Sequence, residues 1–264
     1  MRGGNGLLAL WFWLVTVFLF FPLLVIAAFS FNNSKIAILP FSGFTTRWYG
    51  SLLDNQQIVA AIGNSLVVAS ATILLSLGLG VPLAIGVDRY LLRSRRVVLG
   101  FAAAPMVLPR LVLGVALLTF LNALDLRLSL WTVAMGHSLI GIPYVVLIVT
   151  ARLQGFDKRL EEAAWDLGAS PWRVLRTVTL PLIAPAVIAG GLIAFTLSFD
   201  DVVVAFFTTG LDNTLPMMIW AMLRYGITPE LNALATLTLI VSAIVATLAE
   251  MTIRRSTPKT PQPA

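Results

Sequence analysis

The sequence predicts an all-α protein that crosses a membrane six times, and three observations support this fold class. Of its 264 residues, 58% are apolar and 11% are charged, whereas a typical soluble domain carries about 25% charged residues. The apolar residues form six stretches that are long enough to cross hydrocarbon, which takes ~20 residues in a helix. The basic residues lie mainly between alternate stretches. Lipid is therefore the expected solvent for most of the surface.

The expected spans are 7–31, 58–87, 97–124, 128–151, a stretch that starts after the Pro181/Pro185 pair and continues to about Thr209, and 231–249. Only two of them carry Asp, Glu, Lys or Arg: the third contains Arg110, and the fifth contains the adjacent Asp200 and Asp201. The first span is too long for a signal peptide and has no small-residue cleavage site before a polar region. We therefore expect it to be retained as an anchor.

The distribution of Lys and Arg predicts that both termini are cytoplasmic. In that orientation thirteen basic residues fall on the cytoplasmic side: Arg2, Arg89, Arg93, Arg95, Arg96, Arg152, Lys158, Arg159, Arg173, Arg176, Arg254, Arg255 and Lys259. Four fall on the opposite side: Lys35, Arg47, Arg127 and Arg224. We expect one membrane domain over 1–255, with a cytoplasmic loop at about 155–180, and a disordered cytoplasmic tail at 256–264.

Composition argues against several other classes. The net charge of +6 is explained by cytoplasmic loops at an anionic leaflet, so nucleic-acid binding is not expected. The chain has no cysteine, which excludes disulfides and thiol chemistry. His137 is the single histidine, so we expect it to face a neighbouring helix and expect no metal site. No His/Asp/Glu or Ser/Lys constellation indicates a membrane enzyme.

The cytoplasmic segment 152–181 is expected to form two short amphipathic helices. The first covers about 158–167 and has Glu161 and Glu162 near its start, where the helix dipole favours negative charge. Gly168 stands where a C-terminal cap belongs, and the Ser-Pro pair that follows is typical of an N-cap and a first helical residue. Two short helices of this kind could dock into a groove on a partner protein or lie on lipid head groups. The residue pattern alone leaves both open.

The same segment contains Glu162-Ala163-Ala164, then Gly168 six residues after the glutamate, and ends in Leu180-Pro181. This pattern resembles the EAA loop of binding-protein-dependent ABC importer permeases. The resemblance implies the type I ABC importer permease fold. It also implies that Glu162, Ala163, Ala164 and Gly168 form a coupling helix seated in a cleft of the ATP-hydrolysing subunit, which favours protein docking over lipid contact.

Asp200 and Asp201 are expected to mark a transport route, because a carboxylate inside a span costs ~2.5–3.5 kcal/mol on insertion scales. Two adjacent carboxylates would attract a cation, particularly one with several amines. Alternatively, one or both cap a helix break or pair with Arg110 or Arg224.

A second resemblance supports a cationic cargo. The stretches 43–49, 195–204, 215–216 and 228–236 are similar to spermidine/putrescine importer permeases, and the similarity covers nearly the whole chain. In that family an Asp pair and an outer-loop aromatic are implicated in polyamine handling, which corresponds here to Asp200, Asp201 and Trp48. The resemblance thus implies ATP-driven import of polyamines by alternating access.

The third span departs from this family, whose members typically carry an acidic residue where this chain has Arg110 after Pro109. A permanently charged guanidinium repels a polycation. Either Arg110 pairs with an aspartate away from the path, or the cargo also carries a carboxylate or phosphate, as an opine would.

The resemblance also implies the partners. These are a second homologous permease, a dimer of ATP-binding cassette subunits, an extracytoplasmic solute-binding protein and the lipid of the bacterial inner membrane. None of the three lysines lies in a Gly-rich phosphate loop, so we expect no cofactor on this chain, with ATP and Mg²⁺ bound by the ATPase. The alternative from a different functional class is a secondary transporter or channel that works without an ATPase. The absence of an evident inverted repeat in the sequence argues against it.

Overall fold

The structure is a computed structural model that describes residues 4–34, 41–90 and 94–256. Over these ranges the regular elements are helices, and one isolated β-bridge joins Asn32 and Phe44. The tail that we expect to be disordered lies outside the described residues, apart from Ser256. The chain forms two compact units, one of Met1–Ala60 with Met218–Val241 and one of Ala61–Met217 with Ser242–Ala264.

Twelve α-helices account for most of the described residues. In chain order they are α1 (Gly4–Phe29), α2 (Arg47–Asp54), α3 (Gln56–Arg89), α4 (Arg95–Val107), α5 (Arg110–Ala123), α6 (Leu130–Gln154), α7 (Arg159–Asp166), α8 (Pro171–Val174), α9 (Leu180–Phe199), α10 (Val203–Thr208), α11 (Leu215–Leu223) and α12 (Pro229–Ser256). A five-residue π-helical turn, Leu175–Thr179, joins α8 to α9.

Five helical stretches in the described part of the chain are long and apolar enough to cross a membrane. They are Gly6–Phe29, Gln56–Arg89, Leu130–Gln154, Pro171–Phe199 and Pro229–Thr252. The count rises to six when the bent pair α4 and α5 is taken as one span. The expectation of an all-α chain with six membrane crossings therefore agrees with the structure.

The third span is not the single helix over 97–124 that its apolar character suggests. Helices α4 and α5 meet at an angle of 101°. Proline disfavours the helical conformation in the residue before it, and both Leu108 (ψ 133°) and Pro109 (ψ 130°) are extended. The bend therefore comes from Pro109, and it places Arg110 at the first turn of α5.

The fifth span also differs from expectation at both ends. Its helix starts before the Pro181/Pro185 pair instead of after it, and it ends at Phe199 instead of continuing to about Thr209. Helix α9 begins at Leu180, with Pro181 in its first turn, where the missing N–H costs nothing. Asp200 and Asp201 lie between α9 and the short helix α10. Backbone groups at membrane depth must find partners inside the protein, and the Asp201 side chain supplies one of them.

Helix α6 is the most buried of these five stretches. Its residues Val145, Val146 and Val149 pack with Ala84 of α3 and Ile183 of α9 in one apolar cluster. Glycines allow close approach, as small residues do between membrane helices. A Cβ added at Gly141 of α6 would lie 2.5 Å from Ser76 Oγ of α3 and 3.2 Å from Ala194 Cβ of α9.

In the first unit, buried Asn32 organises the segment that follows α1. Its side-chain Oδ1 accepts from the Ser42 backbone N–H at 3.0 Å, and its backbone carbonyl accepts from Trp48 Nε1 at 2.7 Å. The guanidinium of Arg47 lies 4.3 Å from the centre of the Trp48 ring. Trp48 is therefore held in place by its own segment through both its N–H and its ring face.

Candidate functional site

The break between α9 and α10 is built around the buried carboxylate of Asp201. One of its oxygens accepts the Val204 backbone N–H at 2.7 Å, which caps the start of α10. The other oxygen forms an ion pair with Arg110. The Asp201 side chain is 1% exposed and that of Arg110 is 41% exposed. Asp201 thus both caps a helix break and pairs with Arg110, as the alternative interpretation of the aspartates proposed.

A chain of polar side chains extends from Asp201 into the bundle. His137 Nε2 lies 3.6 Å from Asp201 Oδ1, and His137 Nδ1 lies 2.8 Å from Ser198 Oγ. Ser198 Oγ in turn lies 3.1 Å from Thr72 Oγ1. We call Thr72, Ser198, His137, Asp201 and Arg110 the polar chain. It connects α3, α9, α6, the helix break and α5, so His137 faces neighbouring helices, as expected.

Asp200 differs from its buried neighbour in exposure and in its side-chain contacts. Its side chain is exposed, and among the described residues no ion pair or side-chain hydrogen bond engages it. The two aspartates and Arg110 sum to a formal charge of −1, since the arginine offsets one carboxylate. The free charge at the break therefore belongs to Asp200. The described residues contain no group of three His, Cys, Asp or Glu side chains suited to hold a metal ion.

The cytoplasmic loop has the two helices that its sequence predicts. Helix α7 has Glu161 and Glu162 in its first turn and ends in a Schellman motif, in which Ala169 N–H bonds Ala164 O at 3.0 Å and Gly168 N–H bonds Trp165 O at 2.8 Å. Gly168 has φ +80°, a conformation that glycine adopts without strain.

The next helix, α8, is capped as predicted. Ser170 Oγ accepts the Arg173 N–H, and Pro171 is the first helical residue. The two short helices are thus fixed by local capping, which explains why the sequence alone predicts them.

The two adjacent glutamates of α7 point in different directions, because neighbouring helical residues are about 100° apart around the axis. Glu162 and Ala163 are exposed, and large apolar side chains are exposed beside them: Leu160, Trp165, Leu167 and Trp172. Glu161 is buried, with 4% of its surface exposed. The loop therefore presents an outward face that combines the EAA residues with uncovered apolar surface.

The structure brings together only some of the residues that the sequence singles out. Arg110 and Asp201 are in contact, and Glu162, Ala163, Ala164 and Gly168 share one loop. Trp48 belongs to the first unit and the aspartates to the second. Sequence reasoning missed the participation of Ser198 and Thr72 in the polar chain, and no local pattern distinguishes them from other hydroxyl residues in the spans.

Comparison with known proteins identifies the family. Residues 76–260 match the family described as binding-protein-dependent transport system inner membrane component. The chain is 37% identical over 244 residues to the spermidine/putrescine transport system permease protein PotC of Escherichia coli (strain K12), covering 92% of each chain. It is 39% identical over 242 residues to the putrescine transport system permease protein PotI of the same organism, covering 88% of this chain and 85% of PotI.

Solved structures show the same fold at low sequence identity. A chain of a bacterial ABC transporter involved in the import of the acidic polysaccharide alginate superposes with a TM-score of 0.72 at 18% identity, over 95% of this chain and 96% of the other. A chain of the MetNI methionine ABC transporter, in an inward-facing conformation, gives a TM-score of 0.62 at 16% identity, over 76% and 96%. These matches confirm the expected type I ABC importer permease fold. The chain is a multi-pass inner-membrane protein that belongs to the permease family of binding-protein-dependent transport systems.

Proposed function

We propose that this chain is one half of the membrane pore of an ATP-driven importer that carries polyamines such as spermidine and putrescine into the cytoplasm. The main support is the similarity to PotC and PotI over 92% and 88% of this chain, since the names of both relatives specify those solutes. The exposed carboxylate of Asp200 beside a neutralised Asp201 supports a cationic solute, because a fixed anion near the membrane interior attracts an amine.

We assign the cation-binding role to Asp200 and a positioning role to Asp201 and Arg110. Asp201 is occupied by the α10 cap and by the guanidinium, so it has little capacity left for a solute. Pairing also removes the conflict between Arg110 and a polycation, since the arginine charge is offset inside the protein. Trp48 is proposed to contribute to the outer part of the path, although its indole N–H is already bonded to Asn32.

The cytoplasmic loop is proposed to dock into an ATP-binding cassette subunit through Glu162, Ala163, Ala164 and Gly168. The exposed apolar side chains of α7 and α8 support this, because such a patch marks a protein contact surface. We further propose that the chain binds no nucleotide itself and has no enzymatic activity. ATP and Mg²⁺ would be bound by a dimer of ATPase subunits, since the sequence lacks a phosphate-binding loop.

The complete importer would comprise this chain, a second homologous permease, the ATPase dimer and an extracytoplasmic solute-binding protein, with both termini of this chain in the cytoplasm. ATP binding closes the ATPase dimer and moves the cytoplasmic loop, and the helices then open outward to receive solute. Hydrolysis returns the pore to an inward-facing state. One solved relative of the fold is described in complex with a periplasmic protein that holds its solute, which supports the same division of labour.

A second candidate is an importer of the same class for a solute that also carries a carboxylate, such as an opine. The observation that favours it is the 41% exposure of the Arg110 side chain, which leaves this side chain accessible to an anionic group of a solute. Such a solute would place its amine at Asp200 and its carboxylate at Arg110.

The test of the proposed function is uptake by the complete complex in proteoliposomes, with spermidine, putrescine and an opine offered separately. Polyamine uptake that requires both ATP and the binding protein would support the proposal. Uptake of the opine alone would support the second candidate. Uptake by this chain without ATPase subunits would contradict the importer assignment and favour a secondary transporter or channel.

A further inference from the structure

Glu161 lies at a junction of three elements on the inner side of the cytoplasmic loop. Its Oε1 atom accepts the Thr179 hydroxyl at 2.6 Å and pairs with Arg89 Nη2 at 3.0 Å. Arg89 is the last residue of α3, Thr179 is the last residue of the π-helical turn before α9, and Glu161 belongs to α7. One carboxylate oxygen thus joins α7 to the ends of two membrane helices. We call Glu161, Arg89 and Thr179 the inner clamp.

Further charges hold the arginine of the inner clamp in place. Arg89 Nη1 pairs with buried Asp88 at 2.8 Å, and the guanidinium lies 5.1 Å from the centre of the Phe156 ring. Asp88 also has Lys158 Nζ at 3.7 Å. Arg89 is therefore fixed from two sides and cannot easily follow Glu161 if α7 moves alone.

A purely structural explanation is that Glu161 neutralises the Arg89 guanidinium and so stabilises the loop. A buried ion pair is, however, a poor source of net stability compared with apolar residues of similar size. Its distinctive property is geometric, because it defines one arrangement of its partners and loses much of its energy when they separate. Here the partners of Glu161 are Arg89 at the end of α3 and Thr179 in the turn that leads into α9.

The same two membrane helices are joined again far from the loop. Thr72 of α3 and Ser198 of α9 lie 3.1 Å apart and belong to the polar chain that ends at Asp201 and Arg110. Thr72 is 17 residues from Arg89, and Ser198 is 19 residues from Thr179, so at 1.5 Å per residue the two junctions are about 26–29 Å apart. Helices α3 and α9 are therefore connected by side-chain contacts at both ends of this distance.

We propose that Glu161 is a positioning residue that transmits movement of the cytoplasmic loop to α3 and α9 through the inner clamp. This inference rests on the proposed role of the loop in coupling. Glu162 contacts the ATPase, whereas Glu161 conveys the resulting displacement of α7 to the helices that carry the polar chain. Loss of the inner clamp allows α7 to move with the ATPase while the pore does not follow.

The test measures solute transported per ATP hydrolysed by the complete complex in proteoliposomes. The variants are Glu161→Gln, Arg89→Gln and the double variant, with Glu162→Lys as a test of docking. Asp166→Asn is the matched control, because it makes the same carboxylate-to-amide change at an exposed position of α7. A variant that only lowers the amount of folded complex reduces transport and hydrolysis together and leaves their ratio unchanged.

We expect each single variant of the inner clamp to lower the ratio about fivefold, which corresponds to a modest coupling free energy. The double variant should be no worse than either single one, and Asp166→Asn should keep the wild-type ratio. If Glu161→Gln prevents assembly, Thr179→Val removes the hydroxyl donor with little change of shape, and it too should lower the ratio.

Two results would overturn the inference in distinguishable ways. If Glu162→Lys uncouples the complex while the inner-clamp variants, Thr179→Val included, keep the wild-type ratio, Glu161 has no positioning role and the docking role of the loop stands. If Glu162→Lys also keeps the wild-type ratio, the loop is not the coupling element and the proposed function loses that part. Additive effects of Glu161→Gln and Arg89→Gln would show that they do not act as a pair.

Discussion

Arg110 and Asp201 form an ion pair that joins the bend in the third span to the break in the fifth. Arg110 is the first residue of α5, directly after the extended Leu108-Pro109 pair, and Asp201 caps α10. Two interrupted helices are thus fixed to each other at their interruptions. Because 91 residues separate the partners, the contact is a tertiary one that fixes the geometry around the exposed Asp200.

Breaking this pair from the arginine side should destabilise the protein. Arg110→Gln leaves the Asp201 carboxylate buried without its counter-charge, and removal of one partner of a buried pair costs about 3–5 kcal/mol. The partial exposure of Arg110 places the expected loss at the lower end, about 3 kcal/mol. Thermal unfolding of the purified chain in detergent measures it.

The double variant Arg110→Gln/Asp201→Asn is the control for that prediction. It removes both charges, so it should recover part of the stability that Arg110→Gln loses, since the side-chain oxygen of Asn can still cap α10. A double variant that is less stable than Arg110→Gln would contradict the conclusion that Arg110 stabilises the protein by pairing with Asp201.

The bend in the third span illustrates what the sequence could and could not predict. Length and apolar character predict a crossing at 97–124, and the structure has helices there. The direction of the chain after Pro109 depends on which helices α5 packs against. Those contacts involve residues far away in the sequence, so the local pattern does not predict them. Likewise, two adjacent aspartates in an apolar stretch predict a functional position. Which of the two is buried depends on tertiary contacts that the local sequence does not show.

The cytoplasmic loop was predictable in more detail because its determinants are local. Gly168, Ser170 and Pro171 each fix one backbone position, and all three act as predicted. The different roles of Glu161 and Glu162 were not predictable, since both are equally suited to the first turn of α7. Only the positions of Arg89 and Thr179 show which glutamate faces inward.

Gly168 offers a test of the loop that depends on backbone conformation alone. A Cβ at this position would meet no atom within 4 Å, but φ is +80°, where β-branched residues are strained. Gly168→Val should therefore destabilise the end of α7 by about 1–2 kcal/mol and lower ATP-coupled transport. The ratio of transport to hydrolysis in the complete complex is the measurement.

Gly168→Asn is the matched variant, because asparagine enters the left-handed region more readily than other non-glycine residues. It should retain clearly more coupled transport than Gly168→Val. Equal loss in both variants would indicate that the space around the loop, and not its backbone, limits coupling.

Close packing of α6 should be sensitive to one added methyl group. Gly141→Ala brings a Cβ to 2.5 Å from Ser76 Oγ, which can rotate away, and to 3.2 Å from Ala194 Cβ, which cannot. Such overpacking costs about 1–3 kcal/mol. Gly78→Ala in α3 is the control, since a Cβ there meets nothing within 4 Å. Thermal unfolding should show a lower Tm for Gly141→Ala only, and an unchanged Tm would contradict the packing of α6 against α3.

The orientation predicted from the basic residues can be tested directly because the chain has no cysteine. Asp125→Cys lies between α5 and α6 and should react with a membrane-impermeant maleimide in intact spheroplasts. Tyr90→Cys follows α3 at an 81% exposed position and should react only after permeabilisation. The reverse pattern would invert the topology and place both termini outside.

The role of Asp200 in cation transport is tested by ATP-dependent spermidine uptake by the complete complex with Asp200→Asn, compared with wild type at matched membrane levels. Asp125→Asn is the control for loss of one carboxylate, because asparagine also tolerates the positive φ of 56° at that position. We expect Asp200→Asn to lower uptake at least about tenfold, the effect of ~1.4 kcal/mol, with a Tm close to that of wild type, and Asp125→Asn to transport normally. Wild-type uptake by Asp200→Asn would show that the exposed carboxylate at the helix break has no part in moving the cation.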